Sequence, residues 1–192
     1  MKEIFIFMLA GLCSLWGETE MGTLETACKE KNKEACFELG KRYGKGIGVE
    51  KSYELFEHYM KESCALKYDK ACSNLGSYYR RYTRQDDLAL EYFRKTCDLD
   101  NGSGCNNVAV FYAEGIIVGK DTGKAKEYYE LACSKPVNSS VGCINLGIFY
   151  KDGIATDKNP EKAGYYFEKA CQSGHQLGCQ LAERLKQEPK DE

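Results

Sequence analysis

Ten cysteines arranged as five near-neighbour pairs constrain the fold of this chain more than any other feature of its 192 residues. Cys28 and Cys36 stand eight positions apart, the interval recurs at Cys64 and Cys72, Cys97 and Cys105, and Cys171 and Cys179, and it lengthens to ten at Cys133 and Cys143. Successive pairs begin 36, 33, 36 and 38 residues apart. A period of that length marks a repeat architecture, in which each unit buries its apolar stripe only against its neighbours.

The spacing within a pair also limits the backbone. Eight residues of continuous helix rise about 12 Å, whereas a disulfide needs Cα atoms within about 7 Å. Bridged cysteines therefore require a chain reversal between them, so that each bridge closes the connection from one helix to the next. Parity favours bridging. Residues 1–17 read as a secretory signal peptide: Met1-Lys2-Glu3, an apolar run from Ile4 to Leu12 too short to span a bilayer, and a small residue, Gly17, at the expected cut. Lipidation at Cys13 would want a small residue where Leu12 stands. Removing the leader takes Cys13 with it and leaves an even number, as expected of a disulfide framework in an oxidising compartment. A zinc reading competes with it, but there is no Cys-x-x-Cys, and the imidazoles are only His58 and His175.

The helices themselves are legible from periodicity. Counting forward from the second cysteine of a pair, offsets three, four and seven are Leu39, Gly40, Tyr43; Leu75, Gly76, Tyr79; Val108, Ala109, Tyr112; and Leu146, Gly147, Tyr150. With the cysteine they form one apolar helical stripe, here called helix A. The returning glycine, with Ala109 in its place once, predicts a close backbone approach, since glycine within a helix otherwise costs about 1 kcal/mol against alanine. Counting backward from the next cysteine, Tyr59, Tyr92, Tyr128 and Tyr166 hold offset minus five beside Met60, Phe93, Tyr129 and Phe167, with small residues next to the cysteine. This is helix B. Glycine-containing turns join A to B, and Asn159-Pro160 reads as an N-cap followed by proline at the first helical position. Arg80 to Asp87 has no glycine and its helix pair is shorter, so a tight or distorted turn is expected there.

The units divide as an N-terminal half-repeat over 18–32, repeats over 33–68, 69–101, 102–139 and 140–175, and a C-terminal capping helix and tail over 176–192. A net charge of −2 and no second long apolar run exclude a strong nucleic-acid signature and a membrane span in the mature form.

These residues carry a resemblance. Gly142-Cys143-Ile144-Asn145-Leu146-Gly147 through Tyr150-Lys151-Asp152-Gly153, then Lys162-Ala163 and Tyr165-Tyr166-Phe167-Glu168-Lys169-Ala170-Cys171, is similar to the Sel1-like repeat, a relative of the tetratricopeptide repeat. With a leader and a cysteine pair per repeat, the chain resembles the secreted Helicobacter cysteine-rich protein family. The resemblance implies an all-α fold, an α/α solenoid of Sel1-like helix pairs with each B-to-A turn stapled by a disulfide, and a secreted or periplasmic protein. For activity it implies two things: scaffolds that bind partners, or penicillin-binding proteins and weak β-lactamases. The signatures of a serine β-lactamase, Ser-x-x-Lys with Ser-Asp-Asn and Lys-Thr-Gly, do not occur, and neither does a nucleophile elbow or a phosphate loop. No cofactor or metal is expected, and the catalytic residues of an enzyme reading stay unknown.

Binding has more residues behind it. Offset two after the second cysteine is Asn74, Asn107 and Asn145, and offset six is Arg42, Tyr78, Phe111 and Phe149. In tetratricopeptide-like solenoids helix A lines the concave face, where amides can hold an extended peptide by its backbone and aromatics can grip side chains. Together with Arg81 these residues form the candidate ligand groove. The other reading of the same residues is packing of the aromatics between A helices and simple solvation of the asparagines. The expected ligand is a peptide, a peptidoglycan fragment or a protein, bound by a monomer.

Overall fold

A computed structural model describes residues 20–137 and 139–187, and the leader assigned to 1–17 lies outside them. After a helix over 20–29 (α1) follow α2 (Lys33–Lys45), α3 (Tyr53–Ala65), α4 (Asp69–Tyr78), a π-helical turn (Tyr79–Thr83), α5 (Asp86–Asp98), α6 (Gly102–Glu114), α7 (Thr122–Ser134), α8 (Ser140–Asp152), α9 (Pro160–Gln172) and α10 (Gln176–Gln187). Even-numbered helices are the A helices and odd-numbered ones the B helices. The fold is all-α, of the α/α solenoid class. Packing divides it into two units, Met1–Leu75 and Gly76–Glu192.

The boundaries follow from capping. Asn32, Ser52, Asn101, Asp121, Ser139 and Asn159 each occupy an N-cap, where the side-chain oxygen accepts a backbone N–H of the first turn. Asn159 accepts from Lys162 N at 2.8 Å, with Pro160 beginning the helix. Gly46, Gly115 and Gly153 end α2, α6 and α8 in the left-handed conformation, with φ between 72° and 74°. The second pair lacks that glycine. There the helix continues through the π-helical turn, and Arg84 takes the left-handed position at φ 58°. This is the distorted turn that Arg80 to Asp87 predicts.

All five bridges join the residues expected: Cys28–Cys36, Cys64–Cys72, Cys97–Cys105, Cys133–Cys143 and Cys171–Cys179, with Cα separations of 4.6 to 4.9 Å. So short a separation forces small residues beneath the bridge. A Cβ on Gly104 would come within 2.5 Å of Cys97 N, and one on Gly142 within 2.5 Å of the Ala132 methyl. The two additional residues of the fourth pair have a specific use. Val137 accepts a hydrogen bond from Gly102 N at 2.7 Å and forms a parallel bridge with Asn101, while Lys135 ion-pairs with Asp100 at 2.7 Å. The longer connection thus reaches back to the preceding one.

Within each A/B pair a second device recurs. Tyr43 and Tyr59, Tyr79 and Tyr92, Tyr112 and Tyr128, and Tyr150 and Tyr166 stack at ring-centroid distances of 5.6, 5.5, 5.8 and 5.6 Å. Each stack joins the offset-seven tyrosine of helix A to the minus-five tyrosine of helix B, so it ties together two helices that no disulfide links.

In Met1–Leu75, Met21, Cys28, Ala35, Cys36 and Leu39 are buried, with Tyr43 and Tyr59 packed beside them. In Gly76–Glu192 the core contains Ala109, Tyr129, Leu146, Phe149, Phe167 and Ala170. The recurrent glycines meet the large residue at minus four: a Cβ on Gly76 would lie 2.7 Å from the Phe93 ring, and one on Gly147 2.5 Å from the Phe167 ring.

Candidate functional site on the A-helix face

The eight groove candidates belong to different units and have different surroundings. In Met1–Leu75, Arg42 is tied to α1. Its guanidinium ion-pairs with Glu20, lies 3.7 Å from Glu38, and donates toward the Met21 sulfur, leaving its side chain 13% exposed. The hydrogen bond to Glu20 is the main cause holding its pKa above the ordinary arginine value. Asn74 is exposed and donates to the Lys70 carbonyl of its own helix at 2.7 Å. Both are engaged locally.

In Gly76–Glu192 the aromatics and the asparagines separate. Phe111 is 1% exposed, edge-on to Phe93, with the Arg80 guanidinium 4.8 Å above its ring. Phe149 is 7% exposed and edge-on to Tyr129 at 5.2 Å. These two rings are core, the packing alternative, and give any groove a stiff floor with no free aromatic face. Tyr78 is half-buried beside Tyr79 and Tyr82, and Arg81 is exposed on the π-helical turn.

Asn107 and Asn145 are half-exposed. Asn145 donates to Asn106 Oδ1 at 3.0 Å, which links α8 to α6 through side chains. The Asn107 amide makes no hydrogen bond among the described residues. Along the same helical face, one turn on either side, lie residues that offset counting from the cysteines did not single out. On α6 these are Ser103 and Val110 and on α8 they are Val141 and Ile148; a further turn along come the carboxylates Glu114 and Asp152. Val110 and Ile148 are only partly buried, and Val141 is 44% exposed. The signal was available in the sequence as the i+3 and i−4 positions from each asparagine. Consecutive A helices touch here, α6 with α8 and α8 with α10. The face therefore runs from apolar Val141 and Leu177, through the amides and the aliphatic pair Val110 and Ile148, to the carboxylates Glu114 and Asp152.

Among the described residues no group of three or more His, Cys, Asp or Glu is placed to hold a metal ion, and no helix is long and apolar enough to cross a membrane. His58 lies edge-on to Tyr59, and His175 sits in the loop of the last bridge. Asn101 is 9% exposed and caps α6 by accepting from Ser103 N at 3.0 Å.

An all-α stack of helix pairs with a bridge at every B-to-A turn and a polar-and-aliphatic face on its A helices defines a helical-repeat protein of the α/α solenoid class. The chain belongs to the Sel1 repeat family, whose model matches residues 33–68, 69–101, 102–136 and 140–175. Repeats of this family generally mediate protein interactions. The structure is similar to cysteine rich protein B of Helicobacter pylori, at 32% identity and a TM-score of 0.52 over 65% of this chain and 96% of that one. It is also similar to a Sel1 repeat protein from Oxalobacter formigenes, at 21% identity and a TM-score of 0.72 over 89% of this chain and 73% of that one. A protective antigen present in uropathogenic Escherichia coli strains matches at 22% identity and a TM-score of 0.76, over 88% of this chain and 37% of the antigen. The last two likenesses show the fold alone. The five disulfides fit a protein placed outside the reducing cytoplasm.

Proposed function

We propose that this chain is an extracytoplasmic protein-interaction module that holds an extended segment of a partner protein on the A-helix face of Gly76–Glu192. The observation behind this reading is the Asn107 amide, half-exposed and without a hydrogen bond among the described residues, beside the Asn106 and Asn145 pair. An amide offers a donor and an acceptor together, the complement of a peptide unit. Packed helix axes lie about 8–10 Å apart, and three residues of extended chain cover about 10 Å. A segment running across α6 and α8 therefore meets Asn107 and Asn145 with every third peptide unit, while its side chains rest on Val110 and Ile148. The Asp152 carboxylate along one edge, with Glu114 beside it already 3.8 Å from the Arg80 guanidinium, favours a basic residue at that side of the segment. Tyr78 and Arg81, at the corresponding positions of the preceding pair, extend the site, whereas Arg42 and Asn74 serve Met1–Leu75. The reading takes the protein as a monomer whose leader, residues 1–17, directs export to the periplasm or beyond. It divides the mature chain into the half-repeat 18–32, repeats 33–68, 69–101, 102–139 and 140–175, and the cap 176–192.

Selection of linear peptides against the oxidised protein, followed by mapping of bound peptides through backbone amide shifts, tests the site. Shifts are expected at Asn107, Val110, Asn145 and Ile148; shifts confined to other surfaces overturn the assignment. A chromogenic cephalosporin offered to the same preparation tests the β-lactam alternative. Hydrolysis that falls on substitution of Asn107 or Asn145 would replace binding by that chemistry.

A further inference from the structure

Two B helices, α7 and α9, both pack against α8 and leave between them an open groove of about 600 Å³. Its walls carry Glu127, Glu130 and Leu131 from α7 and Tyr165, Tyr166 and Lys169 from α9. Glu127 and Tyr165 both stand six positions before the first cysteine of a pair, and Leu131 and Lys169 both stand two before it, so they hold equivalent positions on the two helices that line the groove. Tyr165 is 60% exposed and lies edge-on to Tyr166 at 5.1 Å, which makes an open aromatic corner at the level of Glu127.

The charges are arranged unevenly. Glu130 is occupied, 2.8 Å from Lys126 and receiving the Tyr150 hydroxyl at 3.3 Å. Glu127 and Lys169 have no ion-pair partner among the described residues. One end of the groove thus presents an unpaired carboxylate beside exposed aromatic surface, and the other an unpaired ammonium. Four residues of helix separate the two levels by about 6 Å, which is close to the spacing of about 6.6 Å between alternate side chains of an extended chain.

We propose that this groove is a second docking site, and that it takes an extended segment of a partner protein carrying a basic side chain and, two positions away, an acidic one. The basic group lies between the Glu127 carboxylate and the Tyr165 ring, where ion pairing and cation–π attraction act together. The acidic group meets Lys169, and the aliphatic stems of both cover Leu131, which is 41% exposed.

The test titrates a blocked peptide, acetyl-Ala-Arg-Ala-Glu-Ala-amide, into the oxidised full chain and follows backbone amide shifts. Saturable shifts are expected over α7 and α9 and absent from Asn107 and Asn145. Glu127→Gln and Lys169→Gln, both on half-buried or exposed positions that leave the core intact, each weaken binding about fivefold. Peptides that keep only one charge, or that place Arg and Glu four positions apart, bind more weakly by a similar factor. The proposal is overturned by the absence of saturable shifts, by shifts elsewhere, by equal affinity of the single-charge peptides, or by Gln variants that bind as the parent does.

Discussion

At the scale of single residues, the recurring glycine of helix A acts through the side chain that faces it. Phe167 and Met60 are both fully buried, but a Cβ on Gly147 would come within 2.5 Å of the rigid Phe167 ring, whereas one on Gly40 would meet the flexible Met60 chain at 3.0 Å. Gly147→Ala should therefore cost about 1–3 kcal/mol of stability by overpacking, while Gly40→Ala is absorbed by a rotamer change of Met60 and gains helix propensity. Denaturant unfolding of the two variants measures the contrast, and equal losses would contradict it. Tyr129 offers a second test at this scale. Burial pushes its phenol from 10.0 up to about 12, so the folded state holds the proton more tightly than the unfolded chain does. The stability this contributes is complete below pH 10 and is lost as pH rises through the interval to about 12. Tyr129→Phe should flatten the fall of unfolding free energy over that interval; an unchanged slope would mean that the phenol is not held neutral by its surroundings.

At the scale of the elements, each helix connection has its own fastening. The B-to-A turns carry disulfides and the A/B pairs carry stacked tyrosines. The bridge between Cys97 and Cys105 closes a loop of eight-residue separation, and by the chain-entropy argument it contributes about 2.6 kcal/mol. Replacing both cysteines by alanine should lower the unfolding free energy by about that amount, a sizeable part of a net stability of about 5–15 kcal/mol. No measurable loss would show that packing alone holds this turn. Element positions were legible in the sequence because cysteine spacing, apolar period and cap residues agree at each boundary, as Asn159-Pro160 illustrates. The π-helical turn was legible only as an anomaly. The missing glycine between Arg80 and Asp87 signals that the usual cap fails, but which backbone replaces it depends on how Tyr79 must reach Tyr92. The bridge from Val137 to Asn101 was not legible, since nothing in two additional loop residues specifies a contact to the preceding connection.

At the scale of the molecule, family and fold follow from the repeat, while the binding face depends on burial that a helical period does not specify. Counting from the cysteines places asparagines and aromatics on one side of helix A, and the structure separates them. Phe111 and Phe149 turn inward, and the half-exposed aliphatic positions belong to Val110 and Ile148 one residue earlier. A shift of one residue rotates a helical side chain by about 100°, enough to exchange core for surface, and only packing against α5 and α7 decides which. The candidate face consequently consists of amides over aliphatic surface, suited to main-chain recognition of a partner segment. The most direct test is the affinity of the oxidised protein for a peptide selected against it, before and after Asn107→Ala and Asn145→Ala are introduced together. Loss of two amide contacts to the peptide backbone should weaken binding about tenfold or more with the helical content unchanged; an affinity equal to that of the parent protein would contradict the account.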